Sequence, residues 1–179
     1  MSTPSPWVRR WAPHWTPGTR VLDVACGNGR HANWLAQAGC QVTGLDRDPQ
    51  ALAALSPAVE RHLADLEAAP WPLPGRVFDV VLVTHYLWRP LFPALTAAVA
   101  PGGWYVHETF AEGQQAWGRP RNPDFLLQPG ELLAACHGLH VLAYEDGVVN
   151  GARLQRVAAR RLGDAQPLLE SPVISNFRP

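Results

Sequence analysis

The sequence contains no lysine: its basic residues are all arginine, and 15 of them balance 15 acids for a formal net charge of zero. A chain without surplus positive charge offers no electrostatic footprint for nucleic acid or for an anionic membrane. With Ala and Pro abundant, the missing lysine reads as compositional bias before it reads as function. Cysteine is scarce too. Cys26, Cys40 and Cys136 are odd in number and stand at unrelated spacings, which argues against a disulfide framework and against a zinc site, so no metal is expected. No apolar run approaches the roughly twenty residues that span a bilayer, and the N-terminus lacks the charged-then-apolar pattern of a secretion signal. A cytoplasmic protein is therefore expected. The 179 residues show no internal repeat and are most simply one domain with a substantial core.

What is there is organised around Val21 to Asn33. A short apolar strand (Val21, Leu22, Val24, Ala25) runs into Gly27-Asn28-Gly29, and a helix is expected from about Arg30, which is how a parallel α/β sheet opens a nucleotide site. Gly27 and Gly29 can take positive φ and lack a Cβ that would hold a ligand away from bare backbone. Asp46 ends the next apolar strand, where such folds place an acid to accept from ribose hydroxyls, and Asp65 follows a third short strand. Asp23 lies inside the first strand, where an acid is costly unless something pairs with it. Gly27-x-Gly29-x-x-Ala32 also satisfies the looser dinucleotide fingerprint, so a nicotinamide-binding reductase is a rival reading. Asp23 would repel a pyrophosphate, and the chain shows no second substrate domain.

Asp23, Cys26, Gly27 and Gly29 in strand-Asp-x-x-Cys-Gly-x-Gly, then Gly44-Leu45-Asp46, Ala64-Asp65-Leu66, Phe78-Asp79 and Pro101-Gly102-Gly103-Trp104, resemble in order the motifs of the class I S-adenosylmethionine-dependent methyltransferases over roughly residues 20 to 160. The resemblance implies a Rossmann-like fold: a doubly wound, seven-stranded, mostly parallel sheet ending in an antiparallel hairpin. It implies S-adenosylmethionine as cofactor, with Asp23, Ala25, Cys26, Gly27 and Gly29 at the methionyl end, Asp46 and Arg47 at the ribose, Asp65 and Leu66 at the adenine, and Thr84 nearby. Asn122 to Leu132 is similar to a segment of the tellurite-resistance methyltransferase group. Asn122-Pro123-Asp124-Phe125 does not follow the fourth strand, where amino-group methyltransferases carry their Asn-Pro-Pro-aromatic motif, which counts against DNA adenine methylation.

Along the chain, residues 1 to 6 read as disordered, and Trp7, Arg10, Trp11 and Trp15 suggest a short helix packed on the sheet, with Trp11 or Trp15 as a lesser candidate for the substrate pocket. The expected helices are 30–38, a short one begun by Asp48-Pro49, one from Pro90 carrying Leu91, Leu95 and Val99, and 129–136. The expected strands are 41–46, 59–64, 77–83 and 104–108, then 139–145 and 152–162 joined through Asp146-Gly147 and Asn150-Gly151. Residues 110–128 read as a lid-like loop, and 163–179 as an unplaced tail.

Thr84 to Arg89 is a polar and aromatic cluster at a strand's carboxyl end, the edge that lines the active crevice in open α/β sheets. Methyl transfer from a sulfonium needs mostly orientation and charge placement, with a base only where the nucleophile carries a proton. His85 is the candidate base, with Tyr86 beside it and His107 and Glu108 behind it in rank. Arg89, with Arg119 and Arg121, could clamp an anion. The expected substrate is accordingly a small molecule, a compact anion or chalcogen oxyanion being one reading. A catalytically silent cofactor-binding partner subunit is a further alternative; the methyl acceptor and the oligomeric state are not legible.

Overall fold

The computed structural model describes residues 3–163, so the expectation of a C-terminal tail falls, beyond Gly163, outside the described residues. Seven strands form one sheet in the order β3-β2-β1-β4-β5-β7-β6. They are β1 (Arg20–Val24), β2 (Gln41–Asp46), β3 (Glu60–Leu63), β4 (Phe78–Thr84), β5 (Val99–Phe110), β6 (His140–Val149) and β7 (Ala152–Arg160). The first five pair in parallel, while β7 runs antiparallel to both β5 and β6.

Near-continuous apolar strands follow from burial on both faces. Alternate residues of β1 and β4 feed two separate cores: Leu22, Val24, Val81 and Val83 pack with Leu91, Leu95 and Leu132 on one side, and Val21, Val80 and Leu82 pack with Trp7, Leu35 and Leu52 on the other. The helices therefore divide, with α1 (Pro6–Trp11), α2 (Ala32–Gln37) and α3 (Pro49–Ala53) over one face and α4 (Phe92–Ala97) and α5 (Glu131–Ala134) over the other. Asp48 caps α3 by accepting from the Gln50 N–H, and Pro49 opens it. Asp79 serves structure, holding the Arg20 backbone N–H and guanidinium at the amino end of β1.

Several expectations are corrected. Asp146-Gly147 is no turn: Asp146 pairs with Gln155 and Gly147 with Leu154 inside β6, and the hairpin closes on Asn150-Gly151 alone, both at positive φ. That is the two-residue connection that matches strand twist. Val99 belongs to β5, not to the preceding helix, and pairs with Phe78 before a register shift brings Val80 opposite Trp104. Residues 3–6 are ordered. Ser5 caps α1 through its hydroxyl and is 4% exposed. Trp11 packs on Trp104 and Trp7, at the amino ends of the strands, so it lies away from the crevice, and Trp15 is buried in the same core.

Gly103, inside β5 at its register shift against β4, has no room for a side chain. A Cβ there would stand 2.8 Å from the Ala100 carbonyl oxygen and 3.0 Å from that of Asp79, and neither backbone atom can yield cheaply. Gly147, in β6, has open space where its Cβ would be. Gly103→Ala is expected to lower unfolding free energy by about 1–3 kcal/mol, and Gly147→Ala to leave it unchanged within about 0.5 kcal/mol, measured by urea denaturation.

Candidate active site

Strand order reverses at β1, which lies between β2 and β4, so the turns leaving β1 and β4 diverge to opposite faces and open a crevice at their carboxyl ends. Two non-glycine residues there sit at positive φ, Ala25 (+52°) just after β1 and His85 (+54°) just after β4. Such backbone costs roughly 1–3 kcal/mol and persists where surrounding structure enforces it. At His85 the enforcement is visible, since its N–H donates to the Glu108 carbonyl at 2.8 Å.

Two cavities adjoin in the crevice. The first, of about 290 Å³, is lined by Ala25, Asp46, Arg47, Asp65, Leu66 and Tyr86 together with Ala64, Glu67 and Phe125. Six residues predicted from the sequence thus meet on one surface. The second, of about 240 Å³, is lined by His85, Tyr86, Leu87, Thr109, Phe110 and Pro120, and shares Glu67, Tyr86 and Phe125 with the first.

The loop between β1 and α2 borders the first cavity through Ala25. Gly27 is at φ +53° with open space beside its Cα, and its N–H donates to Asp46 Oδ2 at 2.8 Å, which ties the glycine turn to the end of β2. Asp46 Oδ1 accepts from the Asp48 N–H. Gly29 is also at positive φ, +76°, and a Cβ there would meet Leu55 Cδ2 at 2.3 Å. Cys26, expected at the cofactor, turns its sulfur toward the Gly27 carbonyl oxygen and the apolar core, and burial pushes its thiol well above the ordinary range.

Beneath the loop lies Asp23, fully buried, with neither carboxylate oxygen hydrogen bonded. Burial raises its pKa to about 7, the nearby Ala32 amide and the Arg30 charge opposing the rise and Asp46 adding to it. An acid whose burial is opposed only by the Ala32 amide and the Arg30 charge is costly to ionise until a further cation or donor reaches it.

A buried polar chain supports the second cavity. Ser5 Oγ donates to Glu108 Oε1 at 2.7 Å, and the Ser5 N–H donates to His31 Nε2 at 3.1 Å. His31 is neutral, its pKa lowered to about 3 chiefly by burial, so its Nδ1–H faces Thr84 Oγ1 at 3.3 Å. This engages Thr84 with His31, and Thr84 lines neither cavity. Arg156 reaches Glu108 Oε2 at 3.5 Å and also pairs with Glu145. His85 Nε2 stands 4.0 Å from Glu108 Oε1, and its ring tilts over Phe110 with centroids 4.9 Å apart. Burial lowers the His85 pKa; Glu108 raises it and Arg30 lowers it further.

His107 is structural. It accepts from the Tyr105 hydroxyl at Nδ1 and donates from Nε2 to the Tyr86 carbonyl, which sets the backbone of Tyr86. The Tyr86 hydroxyl has no hydrogen-bond partner although the atom is buried. Arg89 departs from its expected role: its guanidinium binds the Glu131 carboxylate and the carbonyls of Asp124 and Leu126, so it fastens the 110–128 loop and lines neither of the two cavities. Arg119 and Arg121 are exposed and line neither cavity.

Sequence reasoning missed Ser5, Glu67, Phe110 and Phe125. Ser5-Pro6 carried a helix-start signal that the Ser/Thr/Pro composition obscured. Phe125 comes from a segment without periodicity and gave no signal.

Residues 21–103 match the family model described as a methyltransferase domain. The chain is 41% identical over 92 residues to the ribosomal protein L11 methyltransferase of Burkholderia thailandensis, covering 49% of this chain and 30% of that protein. It is 35% identical over 114 residues to the ubiquinone biosynthesis O-methyltransferase of Albidiferax ferrireducens, covering 55% and 45%. The matches thus span less than half of either relative. Among solved structures, TehB from Haemophilus influenzae superimposes with a TM-score of 0.70 at 21% identity, covering 86% of this chain and 61% of that one. A TehB-like S-adenosylmethionine-dependent methyltransferase from Corynebacterium glutamicum gives 0.65 at 19%, covering 86% and 85%. The chain has the fold of the class I S-adenosylmethionine-dependent methyltransferases and is similar to them in sequence through the half of the sheet that builds the glycine loop and the crevice.

Proposed function

We propose that this protein binds S-adenosylmethionine in the first cavity and transfers its methyl group to a small acceptor in the second. The observation that carries the reading is Asp23, a fully buried carboxylate with no well-formed hydrogen bond at either oxygen, on the strand that leads into the open Gly27 turn. It fits the ammonium of the methionyl group and disfavours a pyrophosphate. In this reading Asp46 accepts from the ribose hydroxyls and Asp65 with Leu66 meets the adenine, supported by all three lining the first cavity. Bound there, the cofactor supplies an activated methyl group, so the protein need only orient the partners and move a proton.

His85 is the base of this reading. Held below its ordinary pKa by burial, it is neutral at pH 7 and able to accept a proton. Glu108 acts as a positioning residue: its carboxylate stands 4.0 Å from His85 Nε2, favours the protonated ring electrostatically, and is tied to the Ser5 segment. A chalcogen oxyanion, suggested by the tellurite-resistance resemblance, loses support because Arg89 is committed to Glu131.

Two outcomes are expected. Asp23 holds its proton more tightly when folded than when unfolded, so the free protein should lose stability as pH rises from about 4 to about 7, by a few kcal/mol at most. Asp23→Asn should therefore raise the melting temperature of the free protein at pH 8 and much less at pH 5, while weakening S-adenosylmethionine binding about tenfold or more by calorimetry. An unchanged affinity would contradict the ammonium assignment. In an NMR titration of the imidazoles, the His85 pKa should fall in Glu108→Gln, which removes a raising charge, and rise in Arg30→Gln, which removes a lowering one. A His85 pKa indifferent to both substitutions would contradict the proposed electrostatic coupling.

A further inference from the structure

The second cavity has a composition from which its ligand can be argued. Its walls are mostly rings and apolar side chains: Tyr86, Phe110, Phe125, Leu87 and Pro120, with the His85 imidazole tilted over Phe110 at 4.9 Å. At about 240 Å³ it is smaller than the roughly 300–1,000 Å³ of sites for drug-sized ligands, so it suits a single ring. Its fixed charge is negative. Glu67 lines it, the Glu108 carboxylate stands 4.0 Å behind His85, and no arginine is among its lining residues. An anion entering this space would be desolvated beside Glu67 with no arginine lining the cavity to meet it, the Arg156 charge being already committed to Glu108 and Glu145.

We propose that the acceptor is an uncharged, single-ring hydroxylated aromatic of the phenol class, and that Glu67 excludes its carboxylated analogues. This rests on the adjoining cleft being the S-adenosylmethionine site. Tyr86 lines both cavities and its hydroxyl is left without a hydrogen-bond partner, so it is the group that orients the acceptor's own hydroxyl once the ring turns toward it. The ring faces of Phe110 and Phe125 hold the aromatic body. In the transfer, an oxygen lone pair forms the new C–O bond, the C–S pair leaves with sulfur as the thioether, and the hydroxyl proton passes to the His85 imidazole. A hydroxyl can attack while its proton is leaving.

The test uses calorimetry on the full chain, first with S-adenosylhomocysteine alone and then, on the saturated protein, with 4-methylphenol, 4-hydroxybenzoate and selenite. The methyl and carboxylate compounds share one ring and differ in charge. Expected are a Kd for 4-methylphenol of about 1 mM or tighter and at least about tenfold weaker binding of 4-hydroxybenzoate and selenite. Glu67→Gln should bring the two phenols to within about threefold of each other. Formation of S-adenosylhomocysteine from S-adenosylmethionine with 4-methylphenol should follow the same order. Absent 4-methylphenol binding, preferred binding of selenite or 4-hydroxybenzoate, or a discrimination that survives Glu67→Gln would overturn the proposal while leaving the cofactor assignment intact. A protein that binds no S-adenosylhomocysteine in the first titration would overturn the cofactor assignment, and the acceptor assignment with it.

Discussion

The position of β1 between β2 and β4 is the constraint on which the rest depends. Parallel pairing on both sides, Val21 against Val42 and against Val80, puts the ends of three strands at one level. Everything chemical follows from those ends. Gly27 leaves β1, Asp46 ends β2, and His85 and Tyr86 leave β4, so residues far apart in sequence face one crevice. The same burial that holds β1 in place strips water from Asp23, and this converts an ordinary carboxylate into an unsatisfied group awaiting a cation. Stability of the strand and demand for a ligand are thus two aspects of one placement.

The second organising feature is the buried polar chain running from His31 through Ser5 to Glu108 and Arg156. It joins the N-terminal segment to α2, β5 and β7 at the floor of the second cavity. Buried ionic groups are weak evidence for net stability, because desolvation offsets most of their attraction. Their consequence here is geometric. Glu108 cannot move without disturbing Ser5 and Arg156, and the positive-φ backbone at His85 is pinned by the Glu108 carbonyl. Arg89 performs a parallel service, fastening the 110–128 loop through Glu131, Asp124 and Leu126 so that Phe125 reaches both cavities.

Much of the fold was legible because parallel strands are buried on both faces and declare themselves as apolar runs. β2 and the glycine loop needed only local sequence, Asp46, Asp65 and Tyr86 stand at or just after strand ends, and Leu66 was singled out through the family resemblance. What was not legible depended on long-range partners. Asp146-Gly147 and Asn150-Gly151 carry the same turn chemistry, and only pairing with β7 decides which one turns. Ser5 lies in a stretch whose composition reads as disorder, yet Glu108, distant in sequence, recruits it. Arg89 looked free for an anion because nothing local showed that Glu131 would hold it. Phe125 becomes part of the crevice only through that attachment.

The central claim is that one cofactor spans Asp23, Gly27, Asp46 and Asp65. A crystal structure of the protein with S-adenosylhomocysteine tests it most directly. The account predicts the ligand's amino group within reach of Asp23, directly or through one water, its ribose hydroxyls on Asp46, its adenine beside Asp65 and Leu66, and its sulfur turned toward Tyr86. A ligand bound elsewhere, or one that leaves Asp23 unpartnered, would contradict it.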